Sequence, residues 1–197
     1  MAKTFFTSDT HFNDPRFNLY FRPFRSLDEM NKTIIDNWNS VVSRDDTVWH
    51  LGDFTKTKDG YSFVNDLNGK INLVLGNYDE ENLYDFSIFN LVVKNSIFDI
   101  KGVPYFLTHK PEDYNPAMMN LVGHIHGLWK VQRNMINVGT DAWHFLPVTE
   151  EQINSAYVGI QKHYDKNVFI GEYLSQKAKI GGLLLDICKK RSDLNEQ

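Results

Sequence analysis

Residues 47–53 read Thr47-Val48-Trp49-His50-Leu51-Gly52-Asp53, and this stretch decides the fold class. A β-branched and aromatic run of this length is too short for a helix and suits a buried strand. It stops on a glycine followed by an acid. Similar stretches stand on either side: Thr4 to Ser8 runs into Asp9, and Ile71 to Leu75 runs into Gly76-Asn77. Between the first two strands, Ser26 offers a helix N-cap with Glu29 at capping-box spacing. Leu27, Met30, Ile34, Trp38 and Val41 then recur at three- and four-residue steps, which predicts one buried helix face. Between the second and third strands, Asp59 to Leu67 reads as helical and stops near Gly69. A βαβαβ beginning predicts parallel strands covered by helices.

Further along, the pattern changes. Glu80 to Phe86 suits a short helix, and Leu91-Val92-Val93, Ile97 to Ile100 and Val103 to Thr108 are strands at short spacing. Lys101-Gly102 is a hairpin turn between the last two. Asn120-Leu121-Val122 leads into Gly123, and Lys130 to Gln132 with Met135 to Val138 forms a hairpin turning near Arg133-Asn134. The second half is therefore strand-rich, and at least one sheet must be mixed. After Pro147, Thr149 and Gln152 repeat the capping-box signal, opening a helix to about His163. Val168 to Lys179 and Leu183 to Arg191 read as further helix. The expected organisation is a domain over residues 1–148 and a helical C-terminal extension over residues 149–197. An apolar helix side in this tail packs on the domain or, alternatively, forms a dimer contact, and the oligomeric state stays open.

Composition narrows the partners. The 197 residues are 42% hydrophobic and 23% charged, which suits a globular chain rather than a disordered one. One cysteine, Cys188, excludes an intrachain disulfide and a Cys-rich zinc site. There is no apolar run near the ~18 residues of a spanning helix and no charged leader, so a cytoplasmic protein without a membrane partner is expected. A net charge of −4 without a basic run argues against long-duplex nucleic acid, though not against short single strands.

The chemistry gathers at the strand ends. Asp9 and His11 follow the first strand, Asp53 the second and Asn77 the third, while His109 follows Leu107-Thr108 and His124 and His126 follow Val122-Gly123. Ligands of α/β folds bind at the carboxyl ends of sheet strands. Asp9-x-His11 and His124-x-His126 would point to opposite faces within a strand. They converge only if the chain leaves the strand there, or if the site lies between two sheets. Imidazole, carboxylate and amide donors suit Mn, Fe, Zn, Co or Ni. Seven donors exceed one tetrahedral zinc, and two metals sharing a carboxylate would use them all.

In that order the motifs resemble those of the calcineurin-like metallophosphoesterases, whose pattern is D-x-H, G-D, G-N-H-D, a lone H, then G-H-x-H. The counterparts are Asp9-Thr10-His11, Gly52-Asp53, Gly76-Asn77-Tyr78-Asp79, His109 and Gly123-His124-Ile125-His126. The chain is most similar to the small bacterial and phage-type members, through Asp9-Thr10-His11-Phe12, Arg22-Pro23-Phe24, His50-Leu51-Gly52-Asp53-Phe54 and Asn137-Val138-Gly139. The resemblance covers residues 3–148. It implies a sandwich of two mixed β-sheets flanked by helices (αββα) with the site at one edge. It implies that Asp9, His11 and His126 bind one divalent metal, that Asn77, His109 and His124 bind a second, and that Asp53 bridges them. Manganese leads, with Fe, Zn, Ni or Co as alternatives. The implied reaction is phosphoester hydrolysis by in-line attack of a hydroxide held between the metals, with Asp53, Asn77, Tyr78 and Asp79 in catalysis.

The departure is Tyr78, where the family usually has a histidine that contacts phosphate and can protonate the leaving oxygen. A phenol, with an ordinary pKa near ~10, shuttles protons poorly at neutral pH. That shifts the expectation from monoesters to diesters, on a small phosphate-ester or nucleotide-like substrate. The other reading of Tyr78 is a ring filling space over Asp79. Arg22 is the best candidate phosphate clamp among Arg16, Arg22 and Arg25, and Phe12, Phe17 and Tyr20 could stack on a base or simply pack as core. Asp141 could orient a ligand imidazole. Asp14 stands where close relatives often have another histidine. His50 suits a supporting or core position, and His144 and His163 suit structural or exposed ones. A monoesterase of the protein-phosphatase type, a nuclease and a non-catalytic scaffold of the same fold are the alternatives. The full set of seven ligands favours catalysis over the scaffold.

Overall fold

The protein is described here from a computed structural model covering residues 2–81, 86–132 and 134–163. Strand β1 (Thr4–Thr7) pairs in parallel with β2 (Thr47–His50), which pairs in parallel with β3 (Lys70–Val74) and then β4 (Leu91–Val93). Alternation along these strands sends Phe5, Val48 and Ile71, which are neighbours in register, to one face. There they join a buried cluster with Met30, Ile34 and Trp38 of helix α1 (Leu27–Val41). The opposite face carries Phe6 and Trp49, which meet Phe98 of the second sheet edge-on at ring separations of 5.4 and 6.4 Å. One face under a helix and the other under a sheet explains why these strands read as continuous apolar runs.

The second sheet runs in the order β5 (Ser96–Ile100), β6 (Val103–Leu107), β7 (Met119–Val122), β9 (Met135–Asn137), β8 (Val131–Gln132). β5 and β8 are antiparallel to their neighbours and the inner pairs are parallel, so this sheet is mixed. The β5–β6 turn places Lys101 at φ 55° and Gly102 at φ 82°, the left-handed pair that a two-residue hairpin requires. The first sheet is mixed too, because β10 (Val148–Thr149) adds antiparallel to β1. The periodicity did not signal β10, since two residues carry no period.

Ser26 caps α1 as expected, its Oγ accepting from Glu29 N at 3.1 Å, while the Glu29 carboxylate turns back to Arg25 N at 2.7 Å. Val41 proves exposed at the end of that helix, and Val42 is buried instead. The segment expected to be helical over Asp59 to Leu67 is a 3-10 helix, Asp59–Asp66. The helix expected from Glu80 starts earlier: α2 spans Asn77–Glu81, so Asn77 opens the helix rather than ending a loop. Residues 82–85 of that expectation, the turn residue Arg133, and everything read beyond His163, Cys188 included, lie outside the described residues. Helix α3 spans Glu150–His163, and Thr149 and Gln152 form the full reciprocal box at its start, with bonds of 2.9 and 3.1 Å. The chain divides into two compact units, Met1–Ala156 and one starting at Tyr157. Among the described residues, no helix is long and apolar enough to cross a membrane.

Candidate metal centre

Every parallel strand that ends at one edge of the two sheets delivers a polar side chain there. After β1, β2 and β7 the chain leaves the strand through the left-handed region: φ is 57° at Asp9, 49° at His11, 55° at Asp53, 70° at His124 and 50° at His126. Outside the extended geometry of a strand, alternate residues no longer face opposite ways: Asp9 and His11 fall in one donor group, and His124 and His126 fall in two neighbouring ones. Each such non-glycine conformation costs about 1–2 kcal/mol. Cross-loop hydrogen bonds offset that cost, from Asp9 N to Gly52 O (3.0 Å), His11 N to Asp53 O (3.2 Å) and Phe12 N to Phe54 O (2.9 Å). Gly52 is itself at φ 90°, and a Cβ there would stand 2.6 Å from both Gly76 Cα and His109 Nδ1. No other residue fits at this point.

The sheets are joined at this edge. Both Asp9 carboxylate oxygens accept from His124 N, at 3.0 and 2.9 Å, and Ser8 Oγ donates to Asp9 Oδ2 at 2.5 Å. Ser8 also bridges to Gly139 beyond β9. Two groups of donor atoms result, Asp9–His11–His126 and Asp53–His109–His124, with the atoms of each group within 4.8 Å of one another. Asp53 Oδ2 lies between them, 3.9 Å from His11 Nε2 and 3.4 Å from His109 Nε2. The amide oxygen of Asn77 is 3.2 Å from His109 Nε2.

The protonation states suit a cation. His109 Nδ1 faces Leu51 O at 2.7 Å and His126 Nδ1 faces an Asp141 oxygen at 2.8 Å. Since both partners only accept, these nitrogens donate, and in each neutral ring the Nε2 lone pair is left for the site. His11 is fully buried, and neither of its ring nitrogens has a hydrogen-bond partner. Burial and the nearby Arg22 cation hold its pKa well below the ordinary histidine value, so it is a neutral donor. A buried polar atom left unpaired costs about 1–3 kcal/mol, and a coordinated ion removes that cost. Burial would lower the His109 pKa, but its hydrogen bond to Asp53 and the Asp9 and Asp53 charges raise it to about 9. Burial pushes the Asp9 carboxyl up against the pull of His109 and His126. Asp53 is drawn down despite its burial, by the His109 hydrogen bond and charge. The carboxylates thus call for positive charge between the two groups. His109 can supply it with a second proton, and a divalent ion can supply it by displacing that proton.

Other expected residues take different places. Arg22 is not a phosphate clamp, because all its donors are used inside the protein. Nε and one NH2 bond hold both oxygens of Asp141 at 2.8 Å, and the rest go to Thr10 O (2.8 Å), Asp9 O and Met30 Sδ (3.3 Å). Its side chain has no exposed surface. It is a positioning residue that ties the Asp9–His11 turn to Asp141. Asp141, low in pKa despite its burial because of His126 and Arg22, orients His126. Asp79 is buried away from the opening. Its carboxylate accepts from Asp53 N (2.7 Å), Gly76 N (2.9 Å) and the Tyr61 hydroxyl (3.0 Å). Burial raises its pKa to about 7. It therefore clamps two loops together. Tyr78 donates its backbone N–H to Asp53 Oδ1 at 3.0 Å, and its ring stands edge-on to His11 at 5.6 Å. Phe12 and Phe17 are core and offer no stacking face to a ligand. His50 is buried with Nε2 3.0 Å from Thr10 Oγ1, and burial lowers its pKa to about 3. Asp14 is ion-paired to Arg16 at 2.6 Å.

The sequence reading missed how Tyr20 is used. Its ring stacks on both His11 (4.5 Å) and His126 (4.3 Å), and its hydroxyl reaches Asp14 at 3.3 Å. Burial, with the Asp14 charge, raises its pKa. Ser8 and the exposed side chains Leu19, Phe21 and Leu128 beside the site were also missed. Among these only Ser8, next to Asp9, carried any signal.

Two mixed sheets face to face, with two histidine–carboxylate groups where their strands end, are the arrangement of a metallophosphoesterase. The chain belongs to the calcineurin-like phosphoesterase superfamily, whose domain matches residues 3–142. It is 31% identical over 168 residues to an uncharacterized protein of Methanocaldococcus jannaschii, covering 78% of this chain and 90% of that one. It is 27% identical over 183 residues to the Gene 66 protein of Mycobacterium phage L5, covering 73% of this chain and 88% of the relative. A crystal structure of a protein of unknown function from Aquifex aeolicus superposes with a TM-score of 0.64 at 25% identity, over 79% of this chain and 100% of that chain.

Proposed function

We propose that this protein is a two-metal phosphodiesterase acting on small, nucleotide-like diesters. The observation that carries the reading is Asp53 Oδ2, set between His11 Nε2 at 3.9 Å and His109 Nε2 at 3.4 Å, one from each donor group. In this reading Asp9, His11 and His126 hold one ion, Asn77, His109 and His124 hold the other, and Asp53 serves both. The mixed donors suit Mn²⁺ first, with Fe, Zn, Ni or Co as alternatives. When bound, a metal pair supplies water activation near neutral pH and neutralises charge on the phosphoryl oxygens.

The protein's own groups do the rest. Asp141 holds His126 in the tautomer that presents Nε2, and Leu51 O does the same for His109. Tyr78 stands beside His11 at the opening, flanked by Arg16, whose guanidinium carbon is 4.9 Å from the ring centre, and by Lys56 at 4.8 Å. These cations can steer an anionic ester toward the centre. A phenol at this place can hydrogen-bond a phosphoryl oxygen but is a weak proton donor to a leaving alkoxide. That favours diesters with stable leaving groups over alkyl monoesters.

Hydrolysis of bis-p-nitrophenyl phosphate against p-nitrophenyl phosphate tests the reading, with Mn²⁺, Ni²⁺, Zn²⁺ or Mg²⁺ added to chelator-stripped protein and Asp53→Ala as the blank. Metal-dependent diester cleavage, absent in the blank and at least about tenfold above monoester cleavage, is expected. Faster monoester than diester cleavage would overturn the diester assignment, and no cleavage with any metal would overturn the activity itself.

A further inference from the structure

A cavity of about 720 Å³ opens beside His124 and His126, within the size range of small-molecule sites. Its rim is apolar and exposed: Phe21 is 95% exposed, Leu128 82% and Leu19 68%. Single exposed hydrophobics are ordinary, but three around one opening are not. The backbone makes the same point. Of ten non-glycine residues with positive φ among the described residues, five line this cavity: Phe21, His124, His126, His144 and Phe145. Two of these are phenylalanines, for which the left-handed region is a true outlier, and such strain collects at ligand sites. Phe21 is held in this conformation by its N–H bond to Asn18 O at the end of the 3-10 helix Phe17–Tyr20.

The opposite flank differs in character. A cavity of about 310 Å³ at Asn77 and His109 is lined by Lys94, Lys110 and Asp113 together with polar groups and the side chains of Leu75 and Phe106. The centre therefore has a side with an apolar rim toward His126 and a side carrying charged groups of both signs toward His109.

We propose that the cavity over His124 and His126 is the subsite for a planar aromatic ring carried on one ester oxygen of the substrate, either a nucleobase or an aryl group. This rests on the two-metal phosphodiesterase reading and adds which part of the diester lies where. The phosphate sits over the paired donor groups, where the cavity floor and the centre share His124 and His126. The ring is taken by Phe21 and Leu128, and the remaining ester arm points to the lysine side. A large flat group suits this rim because it buries apolar surface at both side chains with little loss of conformational freedom.

Binding rather than turnover tests it. Titration calorimetry on the full chain, with Mn²⁺ and after chelation, compares methyl phosphate, phenyl phosphate and thymidine 5′-monophosphate. The ring-bearing ligands should bind at least about tenfold tighter than methyl phosphate. Phe21→Ser and Leu128→Ser should each cut that advantage several-fold, while Ile97→Ser, an exposed apolar residue on β5, should keep it. Tighter binding of the nucleotide than of phenyl phosphate identifies the ring as a nucleobase, and equal binding identifies an aryl group. A ring advantage below about twofold in both forms, or one untouched by Phe21→Ser and Leu128→Ser, overturns the inference. Failure of the underlying reading shows separately, as absence of metal-dependent diester cleavage.

Discussion

Replacing Arg22 by methionine should cost about 3–5 kcal/mol of folding stability, the range for breaking a buried pair by removing one partner. The structure supplies the terms. The guanidinium makes two 2.8 Å bonds to the Asp141 carboxylate, one 2.8 Å bond to Thr10 O and one to Asp9 O. Methionine fills much of the volume but leaves Asp141 with His126 alone and orphans two carbonyls, each worth about 1–3 kcal/mol if it stays dry. Against a typical total of about 5–15 kcal/mol this is a large loss. Arg22→Lys keeps the charge without the fork and should lose roughly half as much. Urea denaturation followed by tryptophan fluorescence measures both, and the four tryptophans provide the signal. Adding Asp141→Leu to Arg22→Met should recover at least about 1.5 kcal/mol in a double-mutant cycle. Affinity of the Asp9–His11–His126 group for its ion should fall about 10–100-fold in Arg22→Met, since Asp141 no longer orients His126 firmly. Stability loss below about 1 kcal/mol, together with a raised KM, would show that Arg22 contacts substrate and that the positioning argument is wrong.

Three further outcomes follow from the same geometry. Tyr78→His should raise the monoester-to-diester rate ratio at least about tenfold by adding a proton donor at the opening, and an unchanged ratio would mean that position 78 does not set leaving-group preference. Asp46, whose carboxylate accepts from Lys3 N and Ser43 N at 2.7 Å each, has its pKa held down by those bonds. Its contribution is therefore present above the unfolded value near ~4 and lost as pH falls through the folded one, so Asp46→Asn should cost about 1–3 kcal/mol at neutral pH and progressively less in acid; a gap that widens in acid would contradict the sign. Mn²⁺ at about 100 times its Kd should stabilise chelated protein by about 2.7 kcal/mol in thermal melts, and Asp53→Ala should remove most of that shift; melts indifferent to every divalent ion would count against both donor groups.

The candidate site was partly legible because its residues mark strand ends. The apolar runs at Thr4, Thr47 and Ile71 each finish at a donor, and glycines at 52, 76 and 123 announce turns without room for a Cβ. The helix caps at Ser26 and Thr149 were equally plain, since a cap is a contact between residues three apart. The partners of Asp79 and Arg22 were illegible for the converse reason. Their motif neighbours suggested chemistry at the opening, whereas their partners are distant: Asp53 N is 26 residues from Asp79, and Asp141 is 119 from Arg22.

By itself, then, the sequence determined most of the element order, β10 excepted, the mixed-sheet α/β class and the seven donor candidates at one set of strand ends. These follow from local periodicity, turn chemistry and side-chain type. The division of the donors into two groups was implied only through the family resemblance, and the tertiary structure supplies its physical cause, the left-handed exits from β1, β2 and β7. Those conformations are unfavourable locally and persist only through bonds from other loops, such as Asp9 to His124 across 115 residues. It likewise decided that Arg22 faces inward and that Phe21 and Leu128 stand beside the centre. No local pattern carries either, since both depend on which segments the two sheets bring to the same edge.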